Sequence, residues 1–301
     1  MSSLAVQKVP SAAGAAGTAH KKPPLRSRIA LVPTVALLIG AIYCLLPVAW
    51  VVIASTKSGG ELFSTFTFWP GSGFVDNIKE LNAYRDGVYW QWMGNSALYA
   101  GLGALLSTAV SAFSGYALAI YRFRGRESMF SILLAGVLMP PIILAIPQYL
   151  LMAKAGVTDS YLSVMLPQIL SPYGVYLARI YASAAVPADV VEAGRMDGAS
   201  EWRIFTRIAL PMMVPGLVTV FLFQFVAIWN NFLLPYIMLS DDTKFPITLG
   251  LFTLLKQGAS APALYTLVIT GAFLAVLPLV ALFLVIQRFW SLDLLSGAVK
   301  S

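Results

Sequence analysis

Charged residues are clustered along this 301-residue chain, and six stretches between the clusters contain none. They run for 28 residues between Arg28 and Lys57, 35 between Asp86 and Arg122, and 26 between Glu127 and Lys154. The other three run for 19 residues between Asp159 and Arg179, 33 between Arg207 and Asp241, and 31 between Lys256 and Arg288. A helix needs about 20 apolar residues to cross hydrocarbon. No other gap exceeds 14 residues, so the pattern predicts six transmembrane helices. None of the stretches alternates as a barrel strand would, and lipid admits only helices or closed barrels. The fold class is an all-α membrane protein. The expected organisation is a disordered tail over 1–28, a first helix over 29–55, and an outer loop over 56–91. A helical domain follows over 92–290, with helices about 93–121, 129–153, 160–180, 211–237 and 262–287, a loop over 181–210 and a tail over 291–301.

Composition agrees: 58% of residues are hydrophobic and only 11% charged, which excludes a water-soluble reading. The first apolar run, Ile29 to Ala54, is too long for the core of a signal peptide and reads as an uncleaved helix. The net charge of +7 would suggest nucleic acid in a soluble chain; here its distribution gives orientation instead. Six crossings put both termini on one side with the loops after helices two and four, and that side holds fourteen Lys and Arg against six. The basic loop Arg122-Phe123-Arg124-Gly125-Arg126 belongs to it, so both termini are expected in the cytoplasm.

Candidate chemistry is sparse. Cys44 and His20 are the lone members of their types and cannot build a zinc cluster or a Cys-His pair; Cys44 reads as a small buried hydrophobe. The spans lack ionisable groups that could bind a coupling ion. Neutral amides occur instead at Gln148, Gln168, Gln224, Asn230 and Asn231. They suit interhelical hydrogen bonds or, for Gln224, Asn230 and Asn231 with Trp229 and Tyr236, a polar pathway for a hydroxyl-rich solute. Prolines at 47, 140, 141, 147, 167, 172, 215 and 278 predict bent helices, as in a moving bundle that lines a cavity.

The segment Tyr181 to Leu210 predicts a helical elbow. Pro187 suits a first helical position, Gly198 a left-handed helix end, and Ser200 the cap of a second short helix. Ala199, Trp202, Phe205 and Ile208 recur every three residues as an apolar stripe until Pro211 opens the next span. Such a stripe fits a groove in another subunit, or a membrane surface.

The spacing Glu192-Ala193-Gly194-x3-Gly198-x9-Ile208-x-Leu210-Pro211 resembles the EAA motif of bacterial ABC importer permeases, with Gly194 in place of the second alanine. Asn95-Ser96, Pro140-Pro141, Ile146-Pro147, Asp197-Gly198-Ala199-Ser200, Trp229-Asn230-Asn231-Phe232-Leu233-Leu234-Pro235 and Gly297-Ala298-Val299-Lys300 are similar to the carbohydrate-importing branch, the relatives of the smaller maltose-permease subunit. That branch usually has an Arg-Gly pair where this chain has Ser291 to Leu295.

The resemblance implies the type I ABC importer transmembrane fold in a prokaryotic inner membrane, and a pathway subunit rather than an enzyme. Expected partners are a second permease, two ABC ATPases, an extracytoplasmic solute-binding protein and membrane lipid, with no nucleic acid. Coupling to the ATPases would fall on Glu192, Ala193, Gly194, Asp197, Gly198, Ala199, Trp202, Phe205, Ile208, Leu210 and Pro211. Glu192 would lie at a helix start and pair with a basic partner residue. No Gly-x4-Gly-Lys-Ser/Thr loop occurs, so ATP and magnesium would be held by the partner ATPase, and this chain would bind no cofactor. The outer aromatics Phe63, Phe66, Phe68, Trp69 and Trp90 would meet the binding protein or form an interfacial belt. The expected solute is a mono- or oligosaccharide; another small polar solute, such as a glycerol phosphodiester, is the alternative, with a stand-alone carrier or channel behind it.

Overall fold

The computed structural model describes residues 31–258, 261 and 263–298, all helices and connecting loops, with no strand among them. The expected tail over 1–28 and the residues Val299 and Lys300 lie outside these. The chain divides at Pro47 into two units. Helix α1 (Leu31–Ser55) starts in the first, where Leu37, Leu38, Ile39 and Ile42 are exposed. Cys44, expected to be buried, is exposed as well, on a helix whose apolar surface suits lipid.

The second unit opens on the short α2 (Gly59–Ser64) and α3 (Phe74–Ala83). Helix α4 (Val88–Ile120) begins five residues earlier than the charge pattern suggests, behind a kink where Arg85, Asp86 and Gly87 all have positive φ. The stretch expected as one helix over 129–153 is two, α5 (Arg126–Leu138) and α6 (Pro141–Lys154), bent by 104° at Pro140-Pro141. The stretch over 160–180 is also two, α7 (Tyr161–Ile169) and α8 (Pro172–Ala185). Proline 172 has no N–H to continue a helix and drives Ser171 into an extended conformation, from which the Ser171 hydroxyl caps α8 by accepting from Gly174 N at 3.0 Å.

Helices α9 (Ala188–Met196) and α10 (Glu201–Ile204) form the elbow. A π-helical turn over Phe205–Ala209 joins α10 to α11 (Leu210–Trp229) without a stop at Pro211. The span expected over 211–237 breaks at Asn230 and Asn231, and α12 (Leu233–Met238) follows. The amides themselves make the break: Asn230 Nδ2 donates to Val226 O at 2.9 Å, and Asn231 Oδ1 accepts from Leu234 N at 3.3 Å. Helices α13 (Ile247–Gly258) and α14 (Ala263–Ala298) close the chain.

Against six expected crossings, four helical segments among the described residues are long and apolar enough to span, and a fifth if α5 and α6 are one broken span. The charge pattern identifies the apolar stretches; prolines and asparagines cut them into shorter helices.

The bundle is assembled on α4 and α8. Gly103, Ser107, Ser111 and Gly115 recur every four residues on α4, and Gly174, Ala178 and Ala182 do so on α8. These stripes of small residues let the two backbones approach closely. A methyl added at Gly115 would lie 2.6 Å from Ala178 Cβ and from Arg179 N, and one at Gly174 would lie 2.5 Å from Ser111 Oγ. At the other end of α4, the Asn95-Ser96 pair anchors the loop before α13. Asn95 Nδ2 donates to Thr243 O and Phe245 O, Ser96 Oγ accepts from Ile247 N, and Trp92 and Tyr99 donate to Asp242 O and Lys244 O.

That loop is also tied to Asp159, whose carboxylate accepts from Ser240 N and Asp241 N, while Lys244 Nζ lies 3.1 Å from Asp241 and 3.6 Å from Asp159. The two backbone N–H groups hold Asp159 below its usual range. Bonds from Thr243 and Lys244 bring Asp241 down to about 2.

Two predictions follow from this packing. Gly115→Ala is expected to destabilise the purified protein by about 1–3 kcal/mol through overpacking. Gly101→Ala, on the same helix with nothing within 4 Å of the added methyl, should be neutral or stabilising; paired melting curves in detergent decide it. The stabilisation from Asp159 and Asp241 should be present above about pH 4, the unfolded carboxylate range, and be lost as pH falls through their lowered folded values, about 2 for Asp241. Asp159→Ala should therefore lower the melting temperature at pH 7, with the difference shrinking on acidification below pH 4.

Candidate functional site

The elbow starts at Pro187, which caps α9 instead of being its first residue. Helix α9 ends in a Schellman turn: Ala199 N donates to Gly194 O at 3.0 Å, Gly198 N donates to Arg195 O at 3.0 Å, and Gly198 sits at φ +75°. Only glycine takes that conformation without strain, and the N–H bonds of Gly198 and Ala199 turn the chain back on itself. Ser200 caps α10 by accepting from Arg203 N, as its position suggests.

A salt bridge fixes the angle between the two pieces. Arg195 Nε lies 2.7 Å from Glu201 Oε1, and the Tyr121 hydroxyl donates to Glu201 Oε2 at 2.9 Å. Burial and this bond push the Tyr121 hydroxyl well above its usual range, so it remains a donor at physiological pH.

Of the apolar stripe, only Trp202 is exposed as the sequence suggests. Phe205 is buried against Tyr116 and Phe113, and Ile208 and Ala199 are half-buried. With Val191, Ile204, Ala209 and Met213, Phe205 and Ala199 pack on Ala112, Tyr116, Ala178 and Ala182, so this part of the stripe docks the elbow onto its own bundle. Leu210 is half-buried and Pro211 exposed in the continuous helix.

Outward face Glu192, Ala193, Met196, Asp197 and Trp202, with Met196 88% and Trp202 64% exposed; Trp202 stacks on Phe113 at 5.8 Å. Glu192 is the fifth residue of α9, not near its start; Asp189 occupies the first turn. Gly194 is buried where a methyl would lie 3.2 Å from Ile204 Cγ1 and Ile208 Cδ1, so glycine here lets α9 sit tightly on the following helix. Met196 was absent from the expected set, and its position two residues before the turn glycine was the available signal.

A second feature lies where three helix breaks converge. A cavity of about 320 Å³ is bounded by the α5–α6 bend, the α7–α8 break at Leu170 and Ser171, and the α11–α12 break. Its polar groups are Gln148, Gln168, Ser171, Tyr173, Gln224 and Asn231, and no charged side chain lines it. They are paired across the breaks: Gln224 Nε2 donates to Ser171 Oγ at 2.6 Å, and Asn231 Nδ2 to Gln168 Oε1 at 3.1 Å.

Of the expected pathway residues, Gln224 and Asn231 meet here. Trp229 is instead buried in the core and stacked on Phe225, Asn230 is exposed as the cap of α11, and Tyr236 stacks on Phe232 with Lys256 Nζ 5.6 Å from its ring. Ser171 and Tyr173 were not expected; a serine directly before a proline, between two apolar runs, was the signal.

No cluster of three or more His, Cys, Asp or Glu suited to a metal occurs among the described residues.

Residues 108–292 match the family of binding-protein-dependent transport system inner membrane components. The chain is 34% identical over 263 residues to the arabinooligosaccharides transport system permease protein AraQ of Halalkalibacterium halodurans, covering 86% of this chain and 92% of that one. It is 34% identical to the lactose transport system permease protein LacG of Rhizobium radiobacter, covering 87% and 93%. It is 28% identical to the diacetylchitobiose uptake system permease protein NgcG of Streptomyces coelicolor, covering 74% of each. The fold is similar to that of a chain in the crystal structure of a bacterial ABC transporter involved in import of the acidic polysaccharide alginate. That similarity has a TM-score of 0.76 at 23% identity and covers 88% of this chain and 99% of that one.

Proline cannot take φ +75° and would remove the Gly198 N–H bond. Gly198→Pro is therefore expected to open the elbow to trypsin at Arg195 and Arg203 while the protein stays inserted and helical, as read by limited proteolysis and circular dichroism.

Proposed function

This chain belongs to the family of inner membrane components of binding-protein-dependent transport systems, and from that membership we propose that it is the pathway-forming permease subunit of an ABC importer for a mono- or oligosaccharide. The observation that carries the substrate reading is that the polar groups in the mostly apolar cavity lining are amides and hydroxyls, with no charge. Such groups exchange hydrogen bonds with an uncharged polyol at little desolvation cost, whereas a phosphodiester would require a cation that the lining lacks. The relatives' names, for arabinooligosaccharides, lactose and diacetylchitobiose, support the same class.

In this reading the broken pairs α5–α6 and α7–α8 each serve as one crossing, giving six, with both termini in the cytoplasm as the Lys and Arg distribution favours. The elbow then lies on the cytoplasmic side, where a separate ATPase, holding ATP and magnesium, grips Glu192, Ala193, Met196 and Trp202. A second permease completes the pathway and an extracytoplasmic binding protein delivers solute.

The helix from Glu201 runs unbroken through the π turn to Trp229. Between Glu201 and Gln224 that is roughly 35 Å at 1.5 Å per residue. A displacement imposed on the elbow is thereby transmitted as rigid-body movement to the cavity wall, where Gln224 and Ser171 form a contact between two helices.

Gln224→Leu is expected to reduce uptake by up to about tenfold, the value of one polar contact, with assembly intact; Tyr236→Phe, outside the cavity, should transport normally. Gly198→Pro should insert but not transport. The first test is to purify the chain from its native cell with nucleotide trapped and identify what accompanies it by mass spectrometry. A Walker-motif ATPase and a second permease are expected, and the ligand of the associated binding protein names the solute. A chain recovered alone or as a homo-oligomer without ATPase would overturn the importer reading.

A further inference from the structure

Between Glu61 and Asp76 run 14 residues without a charge. Four of them are aromatic and open to the surroundings: Phe63 is 67% exposed, Phe66 72%, Phe68 39% and Trp69 69%. A rigid exposed apolar patch of this kind is unfavourable in water unless something covers it.

The segment is rigid because polar contacts hold it from beneath. Lys57 is buried, and its ammonium donates to Phe66 O at 2.7 Å, the same carbonyl that accepts from Trp69 N at 3.0 Å. Gly71 N donates to Thr56 Oγ1 at 3.0 Å and Gly73 N to Thr56 O at 2.7 Å. Asn77 Nδ2 bonds the carbonyls of Ser55 and Lys57 at 2.9 Å each. A capping box between Ser58 and Glu61 fixes the intervening helix α2.

These contacts also set its depth. Thr56 and Lys57 are the first residues beyond α1, so the turn from Phe66 to Gly73 is held at the level where that apolar helix ends. Independently, the Phe63 ring meets Tyr265, the third residue of α14, at 6.0 Å. Two apolar helix termini thus place the rings at one boundary. Aromatic side chains prefer such a boundary, where an apolar ring meets lipid headgroups.

We propose that residues 62–73 are an interfacial foot that seats Phe66, Phe68 and Trp69 among the lipid headgroups and upper acyl chains of the leaflet in which α1 ends. The occupant of the patch is the lipid surface. Charge supports this, because the segment offers no ionic group to a partner protein, and so do the exposed apolar side chains of the last turns of α1, Val48 and Val52. The foot fixes the height of the α1 end and of α3 while the rest of the bundle moves. The inference rests on α1 crossing the membrane.

The chain's lone cysteine makes the test direct. In a Cys44→Ser background, Phe66→Cys, Trp69→Cys and Lys79→Cys are labelled separately with a nitroxide in the assembled complex, reconstituted into phosphatidylethanolamine and phosphatidylglycerol vesicles. Lys79 has an exposed side chain on α3 and serves as the aqueous reference; Cys44 in the unaltered chain reports on α1 itself. At positions 66 and 69, oxygen access is expected to exceed access by a water-soluble nickel chelate several-fold, with the reverse at 79. Nickel access at 66 and 69 equal to that at 79 would overturn the proposal. If that access then fell when an extracytoplasmic binding protein was added, the rings would belong to a protein contact instead. Nickel access at Cys44 would overturn it through its premise, that α1 is a span.

Discussion

The close approach of α4 and α8 is the constraint on which the other features depend. Apolar side chains gain nothing by leaving lipid for one another, so helices in a membrane associate through tight packing and internal hydrogen bonds. The glycines, alanines and serines of the two stripes provide that packing, and Gly115 leaves no room for even a methyl group against Ala178. At one end of the pair, Ala112, Tyr116, Ala178 and Ala182 form the platform on which the elbow sits. Along its length, Gly174 brings Ser111 close to Gln224, at the edge of the polar cavity. A wider helix pair would leave both features without support.

In the proposed importer, the elbow and the cavity are the two ends of one mechanical element. The exposed surface around Trp202 and Met196 is held by a Schellman turn and the Arg195–Glu201 bridge, which fix its shape before any partner arrives. Phe205 and Ile204 tie it inward, and the uninterrupted helix through the π turn carries it to Gln224. Binding energy at the outer surface is therefore not lost in bending the elbow, which suits a part that transmits force. The cavity walls include the tips of broken helices, held together by single amide and hydroxyl contacts.

Much of this was legible in the residues. The uncharged stretches mark the apolar elements because the cost of a charge in hydrocarbon is independent of the fold. Gly198 and Ser200 read correctly as turn and cap because those roles are set by local backbone geometry. The spacing from Glu192 to Pro211 pointed to the family to which the chain belongs. The inward packing of Phe205 was not legible, since a three-residue stripe has the same period whether it faces a partner or its own bundle. Nor was the separation of Asn230 from Asn231: neighbours in sequence, one caps a helix toward the outside and the other turns into the cavity.

The sequence by itself determined the membrane class, the breaks at Pro140-Pro141 and Pro172, and the family, because each follows from local chemistry: hydration of charge, the missing N–H of proline, the freedom of glycine. Only the tertiary structure decided which amides meet in a cavity, that Lys57 is buried beneath an aromatic turn, and which face of the elbow remains open. Those outcomes depend on contacts between residues distant along the chain, such as Ser171 with Gln224 or Phe63 with Tyr265, and they exist only once the small-residue stripes have brought the helices together.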